Sequence, residues 1–252
     1  DAVCARWSVP VVLVNNAGVD QPPDSGGNRS RIEQLPLEQF RRMVEVNLLG
    51  TFQVIQVFGA RMVAEGRGSI INIGSLYASV SPDPHFYAHL AGNAPFIKAP
   101  AYGASKAGVV NLSKFFATHW AGAGIRVNTL HPNAVFDTGL WTEEVLAQRA
   151  RHYGMTVEQY KTRNVLKVEV TSRDVAELAA EMCGPLFART TGAHSIARLP
   201  ANRVTSVSTI WLGFDALISL PHTCSAFALP LPPFAPLPFP GPGVPAPGPG
   251  VS

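Results

Sequence analysis

The constraint that bears hardest on this chain is an alternation of short apolar runs with long stretches of helical periodicity. Val11 to Val14 (VVLV) stops at Asn-Asn-Ala-Gly, Ser69 to Ile73 (SIINI) stops at Gly74 and Ser75, and Ile125 to Leu130 (IRVNTL) makes a third run. Such runs fit strands buried on both faces of a parallel sheet. Between the first two runs, Pro36 opens a segment in which Phe40, Val44, Leu48, Phe52, Ile55 and Met62 recur at helical spacing, and Gly66 and Gly68 supply the stop. Ala101 to Trp120 is helical in character again. Thr171 to Asp174 (TSRD) begins a further helix with capping-box chemistry, closed by Gly184 and Pro185. Strands alternating with helices predict an α/β fold, a doubly wound parallel sheet with its function at the carboxyl ends of the strands.

Composition bounds the partners. With 252 residues, 46% hydrophobic and 15% charged, the chain can bury one sizeable core. Its formal net charge of +3 is scattered without a basic run, so no nucleic-acid partner is expected and a small molecule or nucleotide is. Cys4, Cys183 and Cys224 lie far apart, in neither a disulfide framework nor metal-ligand spacing, which points to a cytoplasmic protein without a metal site. No signal-peptide pattern and no run of about 18 apolar residues is found, so no membrane association is expected. Asp1 in place of Met suggests an incomplete start.

The character of the sequence changes after Ala193: no charged residue follows Asp215, and the chain ends in LPLPPFAPLPFPGPGVPAPGPGVS. Residues 1–199 are expected to hold the globular domain and 200–252 a Pro- and Gly-rich tail. Pro230, Pro233 and Pro236 have the spacing of a ligand for a proline-recognising groove, and the same composition suits a disordered segment without a role.

Tyr102 and Lys106 in AYGASKAGV are four residues apart, so a helix sets both on one face. A phenol with a pKa of about 10 is a poor base at neutral pH. A cation about 4 Å away contributes on the order of 4 kcal/mol at an effective dielectric of about 20, enough to bring the phenol into catalytic range. Ser75 directly follows the strand SIINI, where a donor to a substrate oxygen would sit, and it could equally just end the strand. Asn47 lies inside a helix in VEVNLLG, a costly place for an amide, where it could also satisfy a neighbouring backbone group.

NNAG, VNLLGTF, SIINIGS, YGASKAG and IRVNTLHP, in that order, resemble the short-chain dehydrogenase/reductase family over roughly residues 5 to 193. The resemblance implies a Rossmann-type sheet, NAD or NADP as cofactor, and a small hydroxyl or carbonyl substrate. It also implies an oligomer, whose face in this family is commonly formed by the two long helices. It assigns Asn15, Asn16, Ala17 and Gly18 to the central sheet and the adenosine border. By the same resemblance Ser75 polarises the substrate oxygen, Tyr102 is the general acid/base, Lys106 holds the nicotinamide ribose and Asn47 anchors a proton-relay water. Pro132 and Val135 fall where the family contacts nicotinamide. HPNAVFDTGLWTEEVLAQRARHYGMTVEQYKTRNVLKVEV with LFARTTGA looks more narrowly like the dehydrogenase part of bifunctional rhamnulose-phosphate aldolase and lactaldehyde dehydrogenase proteins, which suggests a sugar-derived or hydroxyaldehyde substrate.

Several departures stand out. The segment between Ser75 and Tyr102 is longer than usual, and its His85, Tyr87 and His89 are either substrate contacts or solvated loop positions. Pro132-Asn133 stands where the family has Pro-Gly, and Thr138 comes one place late. AHSIARLPANRV lacks the family's closing turn, which puts the last strand in doubt. The glycine-rich loop that cradles a pyrophosphate is absent, since Gly66 with Gly68 and Gly122 with Gly124 sit at helix ends. In the family's order Val11 to Val14 is the fourth strand. The expectation is therefore an incomplete sheet with its first three strands missing, and a chain inactive as it stands.

Overall fold

A computed structural model describes residues 2–21, 32–84, 87, 98–164 and 166–197; the expected proline-rich tail lies outside them. Among the described residues four parallel strands stand in chain order across one sheet: β1 (Val12–Asn15), β2 (Gly68–Ile73), β3 (Ile125–Pro132) and β4 (His194–Ala197). Val14 pairs with Ile71, Ile71 with Asn128, and Thr129 with His194.

The doubt over the last strand is resolved in its favour. The Thr129 N–H donates to the Ala193 carbonyl at 2.8 Å, and Asn128 receives the Ala193 N–H at 3.0 Å while donating to the Thr190 carbonyl at 2.9 Å. Main-chain pairing and one buried amide suffice to seat β4, so the missing closing turn does not prevent it.

Helices cover both faces. α1 (Ala2–Trp7) precedes the sheet; α2 (Leu37–Glu65) and α3 (Pro100–Trp120) pack on one face, where Ile55, Met62, Ile70, Phe116, Ile125 and Val127 form a core. α4 (Glu143–His152) and α5 (Val157–Lys161) form a small satellite around Phe136, Leu146 and Tyr160. α6 (Ser172–Cys183), opened by the expected Thr171–Asp174 capping box, packs Ala179 and Met182 against Ile71 and Leu130 on the other face. Ile70 and Ile71 are both 0% exposed, as a strand covered on both faces requires.

α2 differs from its apolar pattern. Its buried positions are Asn47, Thr51, Ile55, Gly59 and Met62, whereas Phe40 and Phe52 are exposed. A repeat close to four drifts off a 3.6-residue face, and the helix takes up the drift in two wide π turns, Glu45–Gly50 and Ile55–Gly59. By length and composition α2 also passes for a membrane span, with a mean hydropathy of 1.3 over 18 residues, although Thr51, Gln53 and Gln56 interrupt its apolar run. Its buried stripe lies against α3 and the sheet, as in a core helix. Gly66 ends α2 with φ +69°, and Gly124 approaches so closely that a Cβ there would lie 2.4 Å from the Gly66 carbonyl oxygen. Both glycines thus serve helix ends, as expected.

Candidate active site

Four of the expected residues converge at the carboxyl edge of the sheet, brought there by three elements. Ser75 leaves β2, Tyr102 and Lys106 sit in the first turns of α3, and Asn47 occupies the first π turn of α2. The small residues of YGASKAG allow this approach: a Cβ on Gly103 would stand 3.0 Å from the Tyr77 carbonyl, and one on Gly108 would stand 2.9 Å from Leu48.

Asn47 is 1% exposed and fully engaged. Its Oδ1 accepts the Val19 N–H at 2.8 Å, and its Nδ2 donates to the Val19 carbonyl at 3.0 Å and to Ser105 Oγ at 3.1 Å. The reading that it satisfies neighbouring backbone therefore holds: it clamps the loop after β1. At the end of β1, Asn15 donates to Asn72 at 2.8 Å, and Asn72 donates to Ser113 at 2.7 Å, a polar line running from β1 through β2 into α3. Asn16, Ala17 and Gly18 are exposed at the edge, and a Cβ on Gly18 would lie 3.3 Å from Asn47 Oδ1 and 3.5 Å from Lys106 Nζ. Pro132 ends β3 at the same edge, and Val135, half-buried, accepts the Thr138 hydroxyl at 3.3 Å.

Lys106 is buried, donates to the Ile73 carbonyl at 2.8 Å and stands 5.9 Å from the centre of the Tyr102 ring. Burial lowers the Lys106 pKa, with Asp20 opposing. Tyr102 is pushed up to about 12, by burial first and by Asp20 next, with the Ser75 side chain as the lowering influence. This direction is opposite to the one that helical spacing alone predicts, because burial disfavours the phenolate.

Several neighbours were not anticipated. Lys98, four residues before Tyr102, donates to Asp20 Oδ1 at 2.6 Å and to the Gln21 carbonyl at 3.1 Å, and lies 5.2 Å over the Tyr102 ring. Its spacing mirrors that of Lys106, so the signal was present; its link to Asp20 was not. His131 is 1% exposed, with Nδ1 2.7 Å from the Ser75 carbonyl oxygen and 3.2 Å from the Ser75 nitrogen. Tyr87, the described member of the expected loop contacts, is buried: its hydroxyl is 2.9 Å from that of Tyr77, and its ring lies 4.9 Å from the Arg149 guanidinium of α4. His85 and His89 lie outside the described residues.

A parallel α/β sheet with serine, tyrosine, lysine and asparagine gathered at its carboxyl edge defines a class, and comparison with known proteins identifies it. Residues 3–149 match the short chain dehydrogenase family model, and the chain belongs to that family. It is 38% identical to D-threitol dehydrogenase of Mycolicibacterium smegmatis over 135 residues, covering 54% of this chain and 44% of that one. It is 34% identical to D-beta-hydroxybutyrate dehydrogenase of Rhizobium meliloti, covering 76% of this chain and 67% of that one. The chain thus spans about half to two thirds of the length of these relatives. Among solved structures it resembles a 3-oxoacyl-[acyl-carrier protein] reductase from Brucella melitensis with bound NAD (25% identity, TM-score 0.59), covering 77% of this chain and 63% of that one.

Proposed function

We propose that this chain carries the catalytic half of an NAD- or NADP-dependent oxidoreductase that interconverts a secondary alcohol and a ketone on a small, sugar-derived substrate. The observation that carries the reading is the gathering of Ser75, Tyr102 and Lys106 at the sheet's carboxyl edge, where Lys106 Nζ stands 5.9 Å from the centre of the Tyr102 ring. The likeness to the D-threitol dehydrogenase supports the substrate class.

The residues fit the nicotinamide-ribose end of a dinucleotide. Gly18 leaves open the space beside Lys106 Nζ that a side chain would fill, and that ammonium makes one hydrogen bond, which leaves donors for ribose hydroxyls. When bound, the nicotinamide supplies or accepts the hydride. Ser75 donates to the substrate oxygen and orients it. Tyr102 gives the proton to that oxygen in reduction and takes it back in oxidation. Lys106 offsets the charge on the phenolate, Asn47 fixes the loop against which the nicotinamide ribose rests, and Pro132 and Val135 border the ring. Asn16 and Ala17 edge the adenosine.

No Thr-Gly-x-x-x-Gly-x-Gly occurs in the sequence, so the 252 residues alone hold a pyrophosphate weakly and turn over little. The exposed apolar face of α2 and α3, with Val46, Leu49, Val57 and Phe115, supports a homo-oligomer, and the unpaired thiols of Cys4 and Cys183 support a cytoplasmic location.

The test uses the chain preceded by a family-like βαβ segment. Tyr102→Phe should cut turnover by roughly 10²- to 10⁴-fold while NADH fluorescence titration stays nearly unchanged. Lys106→Met should weaken both. A Tyr102→Phe protein with near-normal turnover overturns the assignment.

A further inference from the structure

We propose that Asp20 and Lys98 form a subsite for the hydroxyl next to the reacting carbon, so that the substrate is an uncharged vicinal diol; the inference deepens the alcohol-oxidation reading and rests on it. The pair is built into the fold at both ends. Lys98 Nζ donates to Asp20 Oδ1 at 2.6 Å and to the Gln21 carbonyl at 3.1 Å, and the Ala99 N–H donates to Gln21 Oε1 at 3.0 Å. The segment just before α3 is thereby locked to the segment just after the Asn-Asn-Ala-Gly turn. The Lys98 side chain is 9% exposed and sits 5.2 Å over the ring of Tyr102, while Asp20 remains 26% exposed.

The hydrogen-bond inventory leaves matched groups open. Asp20 Oδ1 is saturated by Lys98 and by the Gln21 N–H at 2.7 Å, whereas Oδ2 carries no hydrogen bond among the described residues. Lys98 uses two of the three donors of an ammonium. The Gln21 Nε2 amide, in a residue 8% exposed, is buried without a partner beside them. A hydroxyl donates and accepts at once, so one group can donate to Oδ2 and accept from Lys98. Lys98, 2.6 Å from Asp20 and 5.2 Å from the centre of the Tyr102 ring, sets the pair beside the phenol on which the substrate oxygen would sit.

The charge balance selects against an acid. Lys98 is already neutralised by Asp20, so a carboxylate or phosphate gains no net attraction and meets a like charge. A substrate lacking the second hydroxyl leaves the carboxylate oxygen and the ammonium unmatched, and sites built to bond a hydroxyl reject such analogues strongly.

Saturation-transfer NMR on the full chain tests this with threitol, 1,4-butanediol and 3-hydroxybutyrate as probes. Threitol should bind at least about tenfold more tightly than 1,4-butanediol, which lacks the inner hydroxyls, and more tightly than 3-hydroxybutyrate. Asp20→Ala and Lys98→Met should bring threitol down to the level of 1,4-butanediol, and Asp20→Glu should restore part of the preference. Equal binding of threitol and 1,4-butanediol, tighter binding of 3-hydroxybutyrate, or no threitol binding overturns the proposal without recourse to any variant. NAD(P)-dependent turnover is read separately on the extended chain. Preference without turnover removes the oxidoreductase reading and leaves the subsite, while turnover without preference removes the subsite alone.

Discussion

His131 shows how a single side chain can set both the shape and the pH response of this edge. Its Nδ1 holds the Ser75 main chain, and its buried Nε2 has no partner among the described residues. The 2.7 Å contact fits an Nδ1–H donating to the Ser75 carbonyl, which leaves a lone pair at Nε2. Protonation would bury an unpaired N–H⁺ there. Burial lowers the His131 pKa below 6.5, helped by His194, Lys106 and Lys114 nearby. The unfolded chain therefore takes up the proton first as pH falls, and the stability present above pH 6.5 is lost as pH falls toward the folded-state value. The melting temperature should drop between pH 7 and pH 5, and less so in His131→Asn, whose amide can still donate to Ser75. An identical drop in both proteins would remove His131 as the cause. His131 stood in plain view next to Pro132, but nothing in the string HPNAV ties it to a serine on another strand. Tyr102, Lys106, Ser75 and Asn47 were legible because each sits in a local motif; Asp20 and Lys98 were not, since their contact joins distant segments.

At the scale of elements, β1 to β3 and the helices α2, α3 and α6 followed from the sequence to within about two residues, because apolar runs, caps and glycine stops are local signals, whereas α1, α4 and α5 were not foreseen and β4 was in doubt. The buried face of α2 did not follow either. Its winding is set by what α3 presents, and a large aromatic can be left outside while a glycine is buried. Gly59 is the sharpest instance: a Cβ there would lie 2.4 Å from the ring of Trp120. Gly59→Ala should destabilise the fold by about 1–3 kcal/mol through overpacking, against a helix-propensity gain of at most about 1 kcal/mol. Gly122, which has nothing within 4 Å of a built Cβ, serves as the control, and its alanine variant should stay within about 0.5 kcal/mol. Urea titrations of both decide it; an unchanged midpoint for Gly59→Ala would mean that Trp120 moves freely.

For the whole molecule, the ladder of β1 is paired on one side among the described residues, with Val12 42% and Val14 44% exposed. An apolar edge of this kind templates association. Light scattering of the 252-residue chain should show concentration-dependent growth, reduced by Val12→Lys and by a preceding βαβ segment, and calorimetry should detect NAD binding only with that segment. Micromolar binding by the 252 residues alone would require a nucleotide site of another kind. The long insertion before Tyr102 reads differently at this scale. Through Tyr87 it ties the hydroxyl of Tyr77, and so the turn after Ser75, to Arg149 on α4. One ring thus passes a change at Arg149 on to the far end of β2, so a substitution on α4 should be felt at a turn that belongs to another part of the chain.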